Sequence, residues 1–429
     1  MSSQPQLVRA MTRLDLTALA VNGIIGAGIF GLPSSVSRLL GVSSPVAFVV
    51  CAVLVYVFVL CFAEVASHFS DTGGPYLYSR TIFGPFVGFE VGWSVWLARV
   101  SAFAANSNVL ILYLGYFLPQ ATSGVGRVVI IALIPAVLAA INVRGVKGGA
   151  HVGDVFAGTK IGVLALFGII GLFFVDWTRF TGMGVPQAEN FGPAILLLIY
   201  AFTGFEYAVI PAAEAKDPRR DLAWALIIAL GICTIIYIAV QVVAQGTVAD
   251  LTISERPLAD SAQTFLGPLA GGVIAMLVIV SVIGNLSALM LVSPRLTYAF
   301  AEKRDFPAIF ARLHPVYQTP AVSIVFFAAA SGLLAIYGRF EWLVAVSVVS
   351  RLGYYMVTCL AVPILRRRSD SEVRFRLPLG PTLPVLGLAI GIWLLLQASR
   401  LNILAFAGAC VAGAILFLFR PRRASQTGQ

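Results

Sequence analysis

Charge is what this chain has least of. Only 11% of its 429 residues are Asp, Glu, Lys or Arg, against about 25% in soluble domains. Hydrophobic residues make up 59%, and the mean hydropathy is +0.92. That poverty of charge excludes a soluble globular protein. Histidine is scarcer still, and the three present, His68, His151 and His314, are too scattered to form a metal site. The five cysteines, Cys51, Cys61, Cys233, Cys359 and Cys410, all lie in apolar runs and form no C-x-x-C pair. Neither a disulfide framework nor a thiolate metal site is expected, and no cofactor is implied. Acid is short against base, 19 residues to 29. A basic balance can signal nucleic acid, but the placement of the charges gives it another cause.

What fills the chain is apolar runs of about 20 residues, each long enough to cross a hydrocarbon core of ~30 Å. Twelve spans are read, at roughly 14–40, 44–66, 84–117, 126–142, 152–175, 191–212, 222–245, 268–300, 320–337, 341–365, 382–398 and 402–419. The first run lacks a small-residue cleavage site and is expected to remain a span. With the N-terminus in the cytoplasm, 20 of the 29 basic residues fall on the cytoplasmic side, from Arg9 and Arg13 to Arg422 and Arg423. Six fall outside: Arg38, Arg127, Arg179, Arg256, Arg339 and Arg400. Arg99, Lys160 and Arg351 fall within spans. This is the positive-inside bias, and it places both termini in the cytoplasm. The basic pI is a topology signal, and no nucleic-acid partner is expected.

Gly26–Gly31 reads GAGIFG, which matches the dinucleotide fingerprint G-x-G-x-x-G. That motif has meaning only after a strand and before a helix. Here it sits inside a 27-residue apolar run, and the next acid, Glu64, is too distant for a ribose contact. The same stretch carries Gly23, Gly26, Gly28 and Gly31, then Pro33. Each glycine costs about 1 kcal/mol of helix propensity relative to alanine. One reading is a small-residue packing face. The other is an unwound segment whose freed N–H groups bind an anion such as a carboxylate. The sixth span has Gly204 and Glu206 at its middle. Interruptions in spans one and six suggest two five-span repeats followed by two further spans, although no residue-level repeat is evident.

Several segments together resemble the amino acid–polyamine–organocation (APC) superfamily of permeases, in particular its basic amino acid/polyamine antiporter-like branch. These are GIIGAGIFGLP, FAEVASHFSDTGGPYLYSRTIFGPFVGFEVGW, AFTGFEYAVIPAAEAKDPRRDLAWAL and SPRLTYAFAEKRDFPAIFARLHPVYQTP. The resemblance implies an all-α polytopic protein of about 12 transmembrane helices. It would have a leucine-transporter-like 5+5 inverted repeat, with helices 1 and 6 broken and two extra C-terminal helices. The expected divisions are a cytoplasmic tail (1–13), a transport core (14–365, with repeats of about 14–175 and 191–365), two additional helices (382–419) and a second cytoplasmic tail (420–429). The resemblance further implies that amides of Gly26, Ala27 and Gly28 hold a substrate carboxylate. Carbonyls of Ile24, Tyr200 and Thr203 would hold its ammonium, and the Tyr200 ring would gate the pocket. Ala27 departs from members with serine there, which removes a hydroxyl but no backbone contact.

A charge at mid-bilayer costs ~2.5–3.5 kcal/mol even on insertion scales, so each has a functional reading by default. The resemblance places Lys160 where proton-coupled and exchange members use a lysine in place of sodium, tethering spans one and eight. It is expected to be a proton carrier or a charged strut, and either argues against sodium coupling. Glu206 follows the span-six break, where it could bind a cationic group, carry a proton or pair with a base. Arg99, Phe103 and Asn106 share one helical face of span three, and the resemblance puts Arg99 and Phe103 in the side-chain pocket. Arg99 either pairs with Glu206 or reaches an anionic substrate group. The pair is the preferred reading, because an unpaired buried charge is the costlier state. Arg351 is expected to snorkel to an interface. Glu64, His68 and Glu90 are read as gate or loop anchors, and Asn285 as a pocket amide or, in preference, an interhelical hydrogen-bonding group.

The expectation is a sodium-independent secondary amino acid permease working by alternating access, by proton symport or amino acid exchange. A polyamine or cationic amino acid antiporter is the alternative, and a non-transporting membrane sensor is the rival of another class. No nucleophile–base pair or metal cluster marks an enzyme, and no continuous polar lining marks a channel. The expected partners are a small-molecule substrate, the lipid bilayer, protons and a second copy in a homodimer. The expected location is a bacterial inner membrane.

Overall fold

The computed structural model describes residues 11–69, 74–145, 149–184, 187–209, 218–368, 375–377 and 379–420. The tails 1–10 and 421–429, Gly73, Lys147, Lys216, Arg374 and the chain just past Val209 lie outside them, as does the side chain of His151. The described residues form helices joined by turns, with no β-strand. The first span is two half-helices, α1 (Arg13–Ile24) and α2 (Gly28–Leu40). There follow α3 (Ser44–Ser67), the short α4 (Gly74–Phe83), α5 (Pro85–Leu114), α6 (Gly124–Val143) and α7 (Gly149–Leu172). The sixth span is again broken, into α8 (Ala188–Phe202) and α9 (Glu206–Val209). Then come α10 (Pro218–Thr247), the short α11 (Pro257–Leu266), α12 (Pro268–Val292) and the short α13 (Pro294–Glu302). The last four are α14 (Ala321–Tyr337), α15 (Phe340–Arg368), α16 (Thr382–Gln397) and α17 (Arg400–Leu418).

This is an all-α polytopic membrane fold with helices 1 and 6 broken. Local chemistry explains its boundaries. α1 starts in a capping box, in which the Asp15 backbone N–H donates to the Thr12 hydroxyl and the Asp15 carboxylate accepts from the Thr12 N–H. The expected eighth span, 268–300, ends earlier than its hydropathy suggests. It stops at Val292, and Pro294 opens the separate helix α13, because proline cannot donate the N–H that would continue the ladder.

The two halves share a local duplication. α4 and α11 have 10 residues each, and each runs through a glycine into a long span. The links are Gly84-Pro85 and Gly267-Pro268, with φ of 93° and 84° that side chains rarely adopt. Four residues on, Gly88 lies against Arg80 and Gly271 against Gln263, so close that a Cβ would overlap either neighbour. Both copies therefore read G-P-x-x-G and make the same crossing of short helix over long helix. The copies begin the third and eighth spans, which correspond in a 5+5 arrangement.

α5 is the central pillar. Its most apolar stretch is 89% buried inside the protein, against 17% for those of α6 and α17, whose remaining surface is apolar enough to face lipid. α15 packs along α5, α10 packs on α1 and α3, and α8 packs on α2 and α3. At the face of the membrane where α1 begins, Glu64 fixes the segment that follows α15. Its carboxylate accepts from Arg366 Nε at 2.6 Å and Nη2 at 2.7 Å, and from the Leu377 N–H at 2.7 Å. Glu64 is thus a loop anchor. Glu90 faces Gly413 of α17 instead, with no hydrogen-bond partner for its buried Oε1 among the described residues.

Candidate functional site

The two breaks lie back to back. In span one the helix ends at Ile24, the Gly26 N–H turns back to the Ile24 carbonyl at 2.7 Å, and α2 restarts at Gly28. The leading amides of a helix have no intrahelical acceptor. Those of Ala27, Gly28 and Ile29 accordingly bond no carbonyl among the described residues. They cluster at the positive end of the 13-residue α2. In span six α8 ends at Phe202, Gly204 takes φ 108°, and α9 starts at Glu206. A Cβ on Gly23 would sit 2.4 Å from the Gly204 oxygen, and one on Gly204 would sit 2.1 Å from the Gly23 oxygen. Only glycine allows the two backbones this approach. Gly28 in turn packs on Ala201 and the Tyr200 ring.

Of the three carbonyls expected to face an ammonium, two are engaged. Ile24 accepts from Gly26 and from the Tyr237 hydroxyl at 2.9 Å. Tyr200 accepts from the Thr203 hydroxyl at 2.8 Å and the Thr203 N–H at 3.3 Å. The Thr203 carbonyl accepts no bond among the described residues. The Tyr200 hydroxyl reaches span three, donating to Asn106 Oδ1 at 2.6 Å. Phe103 is fully buried, with its ring edge-on to Phe327 of α14 at 5.7 Å, which gives it a core-packing contact rather than a demonstrated pocket wall. Asn285 on α12 brings its amide beside Gly26 and makes no hydrogen bond among the described residues, contrary to the preferred interhelical reading.

Tyr237 was not foreseen. It is fully buried on α10, and its hydroxyl touches the Ile24 carbonyl at 2.9 Å and the Ala201 carbonyl at 3.1 Å. One side chain therefore bridges the ends of both first half-helices. Tyr237→Phe is expected to remove the one hydroxyl proton that the Ile24 and Ala201 carbonyls share, at about 1–3 kcal/mol. A lowered melting temperature in detergent checks this, and an unchanged melt counts against the bridge.

The intramembrane charges pair differently from expectation. Glu206 pairs with Arg351, not Arg99. Its Oε1 accepts from Arg351 Nη1 at 3.1 Å, Tyr354 Oη at 2.8 Å and Tyr355 Oη at 2.6 Å. Its Oε2 accepts from the Gly204 N–H at 2.7 Å, so the carboxylate also caps the break. Arg351 does not snorkel: it is buried, and its Nε has no partner among the described residues. The cause is the cost of an isolated buried charge, which Arg351 meets by taking the one carboxylate that follows the break. Arg99 is left over. It makes no hydrogen bond or ion pair among the described residues, and its guanidinium lies over the Tyr207 ring at 5.5 Å.

Lys160 on α7 reaches span one from behind. Its Nζ donates to the Ile25 carbonyl at 3.5 Å, within the break, and to Asn22 Oδ1 at 3.4 Å. A cavity of about 20 Å³ separates Lys160 from Ser281 of α12, whose buried hydroxyl has no partner among the described residues. The lysine ties span one directly and faces span eight across that gap.

On the far face of the membrane α2 is tied down. Tyr113 of α5 donates to the Phe30 carbonyl at 2.9 Å, and Glu341 of α15 accepts from Ser35 at 2.7 Å and Arg38 at 2.8 Å. α1, by contrast, is bonded to the adjacent α10 through Arg13 and Asp221.

Comparison with known proteins agrees with this geometry. The amino acid permease family model matches residues 11–428. A methylthioribose transporter of Bacillus subtilis (strain 168) is 26% identical over 99% of this chain and 96% of its own length. The serine/threonine exchanger SteT of the same organism is 29% identical over 86% of each chain. The branched-chain amino acid permease BcaP, also from it, is 26% identical over 100% of this chain and 96% of its own. These relatives are transporters, not enzymes, and their named cargoes differ widely. The chain belongs to the amino acid permease family, within the APC superfamily.

Proposed function

We propose that this protein is a sodium-independent secondary transporter of amino acids, working by alternating access. The observation that carries the reading is the pair of apposed breaks, with free amides at the start of α2 on one side and the Lys160 ammonium against the Ile25 carbonyl on the other. A zwitterion needs both an anion site and carbonyls for its ammonium. The N-terminus of α2 supplies the first, and the Thr203 and Ile24 carbonyls supply the second once Tyr237 yields. Lys160 already places a positive charge on the freed carbonyl, where a sodium ion would otherwise bring one. The driving force is then proton symport or exchange of one amino acid for another. The ties of α2 to α5 and α15 support a state closed on the far face. The bias of basic residues supports a cytoplasmic position for the face where α1 begins.

Uptake into proteoliposomes is expected to be equal in sodium and in potassium buffers. Lys160→Met is expected to lower it about tenfold, as loss of one charge-assisted hydrogen bond would. Sodium-dependent uptake by the wild type would refute the coupling. Binding without flux would instead identify a sensor.

A further inference from the structure

We propose that Arg99 reads the substrate side chain, and that the preferred substrates are amino acids carrying a second carboxylate. The inference rests on the transport reading above and narrows its substrate class. Four ionic side chains lie near the breaks: Lys160 is bonded to the Ile25 carbonyl and Asn22, and Glu206 and Arg351 neutralise each other. The Glu206 carboxylate is already occupied by Arg351, two tyrosines and the Gly204 N–H, so it has little left to offer a cationic substrate. Arg99 is the remaining charge. It stands at the middle of the 30-residue α5, is 6% exposed, and uses none of its five N–H donors on the described residues. Its neighbour Tyr207 packs on Gly23 where the two breaks meet. The guanidinium thus lies one ring away from the backbone that would hold the substrate.

A ring face attracts a cation but accepts no hydrogen bond comparable to a carboxylate's. The planar fork of arginine matches a carboxylate with two parallel bonds. An anionic side chain delivered to this point would satisfy both the charge and the donors. A cationic side chain would add repulsion to an uncompensated positive site. The α-carboxylate is the other source of the same chemistry. The amides opening α2 already serve that group, and the test separates the two.

The test measures uptake and competition in proteoliposomes for glutamate and aspartate beside glutamine and asparagine, which match them in shape but lack the charge. Serine and leucine are run in parallel, with wild type, Arg99→Gln and Arg99→Lys. For the wild type the apparent KM for the acids is expected to be about tenfold or more below that for the amides. Arg99→Gln is expected to erase this difference between acids and amides, and Arg99→Lys to retain part of it. Equal affinity for acids and amides in the wild type would overturn the proposal, and that result does not depend on how the variants fold. So would an Arg99→Gln variant that weakens acids, amides and serine alike, which would assign Arg99 to the α-carboxylate. Uptake of none of these amino acids would sink the transport reading itself, whereas uptake of neutral ones alone would sink only this inference.

Discussion

Replacing Glu206 with glutamine is expected to destabilise the protein by ~3–5 kcal/mol, the cost of leaving a buried charge without its partner. Glutamine keeps one acceptor oxygen, which can still serve Tyr354 and Tyr355, but its amide nitrogen cannot accept from the Gly204 N–H. It cannot neutralise Arg351, which stays charged at any working pH and whose Nε is already without a partner among the described residues. The damage is therefore electrostatic and structural. The double variant Glu206→Gln, Arg351→Met removes both charges and is expected to recover most of the loss, since replacing a whole buried pair is often close to neutral. Thermal unfolding of the purified single and double variants in detergent measures the coupling. A Glu206→Gln protein that melts like wild type but no longer transports would reverse the assignment. Glu206 would then be a transport group that merely rests on Arg351 in this state.

The same pair shows where the sequence is readable and where it is not. The break in span one was legible because a glycine cluster is rare inside an apolar run, and that in span six because Gly204 and Glu206 interrupt its middle. Lys160 was legible because a charge within a span stands out. The partner of Glu206 was not. Arg351 lies 145 residues away, and no periodicity links one helix of a bundle to another. Arg99 was the closer choice in the chain and the wrong one in space, and the leftover charge it became is what now points to a substrate. Tyr237 had no signal at all: a tyrosine in an apolar span looks like any other aromatic until two carbonyls are seen at its hydroxyl. The G-P-x-x-G duplication was a different kind of miss. FGPFVG and LGPLAG were present in the sequence, but a match at three of six positions, 183 residues apart, becomes persuasive only when both copies make the same crossing. The early end of the eighth span was also signalled, by Pro294, which hydropathy alone overrides.

Gly23→Ala is expected to lower transport about a hundredfold, the size of loss that a 1 Å misplacement of reacting or binding groups can bring. Two effects oppose each other at this site. Alanine favours the helix over glycine by about 1 kcal/mol, and Gly23 is helical, so local propensity predicts a gain. The added methyl, however, would stand 2.4 Å from the Gly204 carbonyl oxygen, far inside the ~3.5–4.0 Å of an ordinary non-bonded contact. The neighbour is backbone with no rotamer to change, and Gly204 at φ 108° has little freedom to move. The clash wins, and the two breaks must part. Gly162→Ala on α7 is the control, because its new Cβ would meet nothing within 4 Å. It carries the propensity gain without the clash and is expected to match or exceed wild-type stability at full transport. Circular dichroism of Gly23→Ala should show an unchanged helix content, which separates displacement of the breaks from unfolding. If Gly23→Ala transports normally, the carbonyl-to-glycine contact is not maintained through the cycle. The breaks would then move apart on their own, and the site would have to form from each span separately.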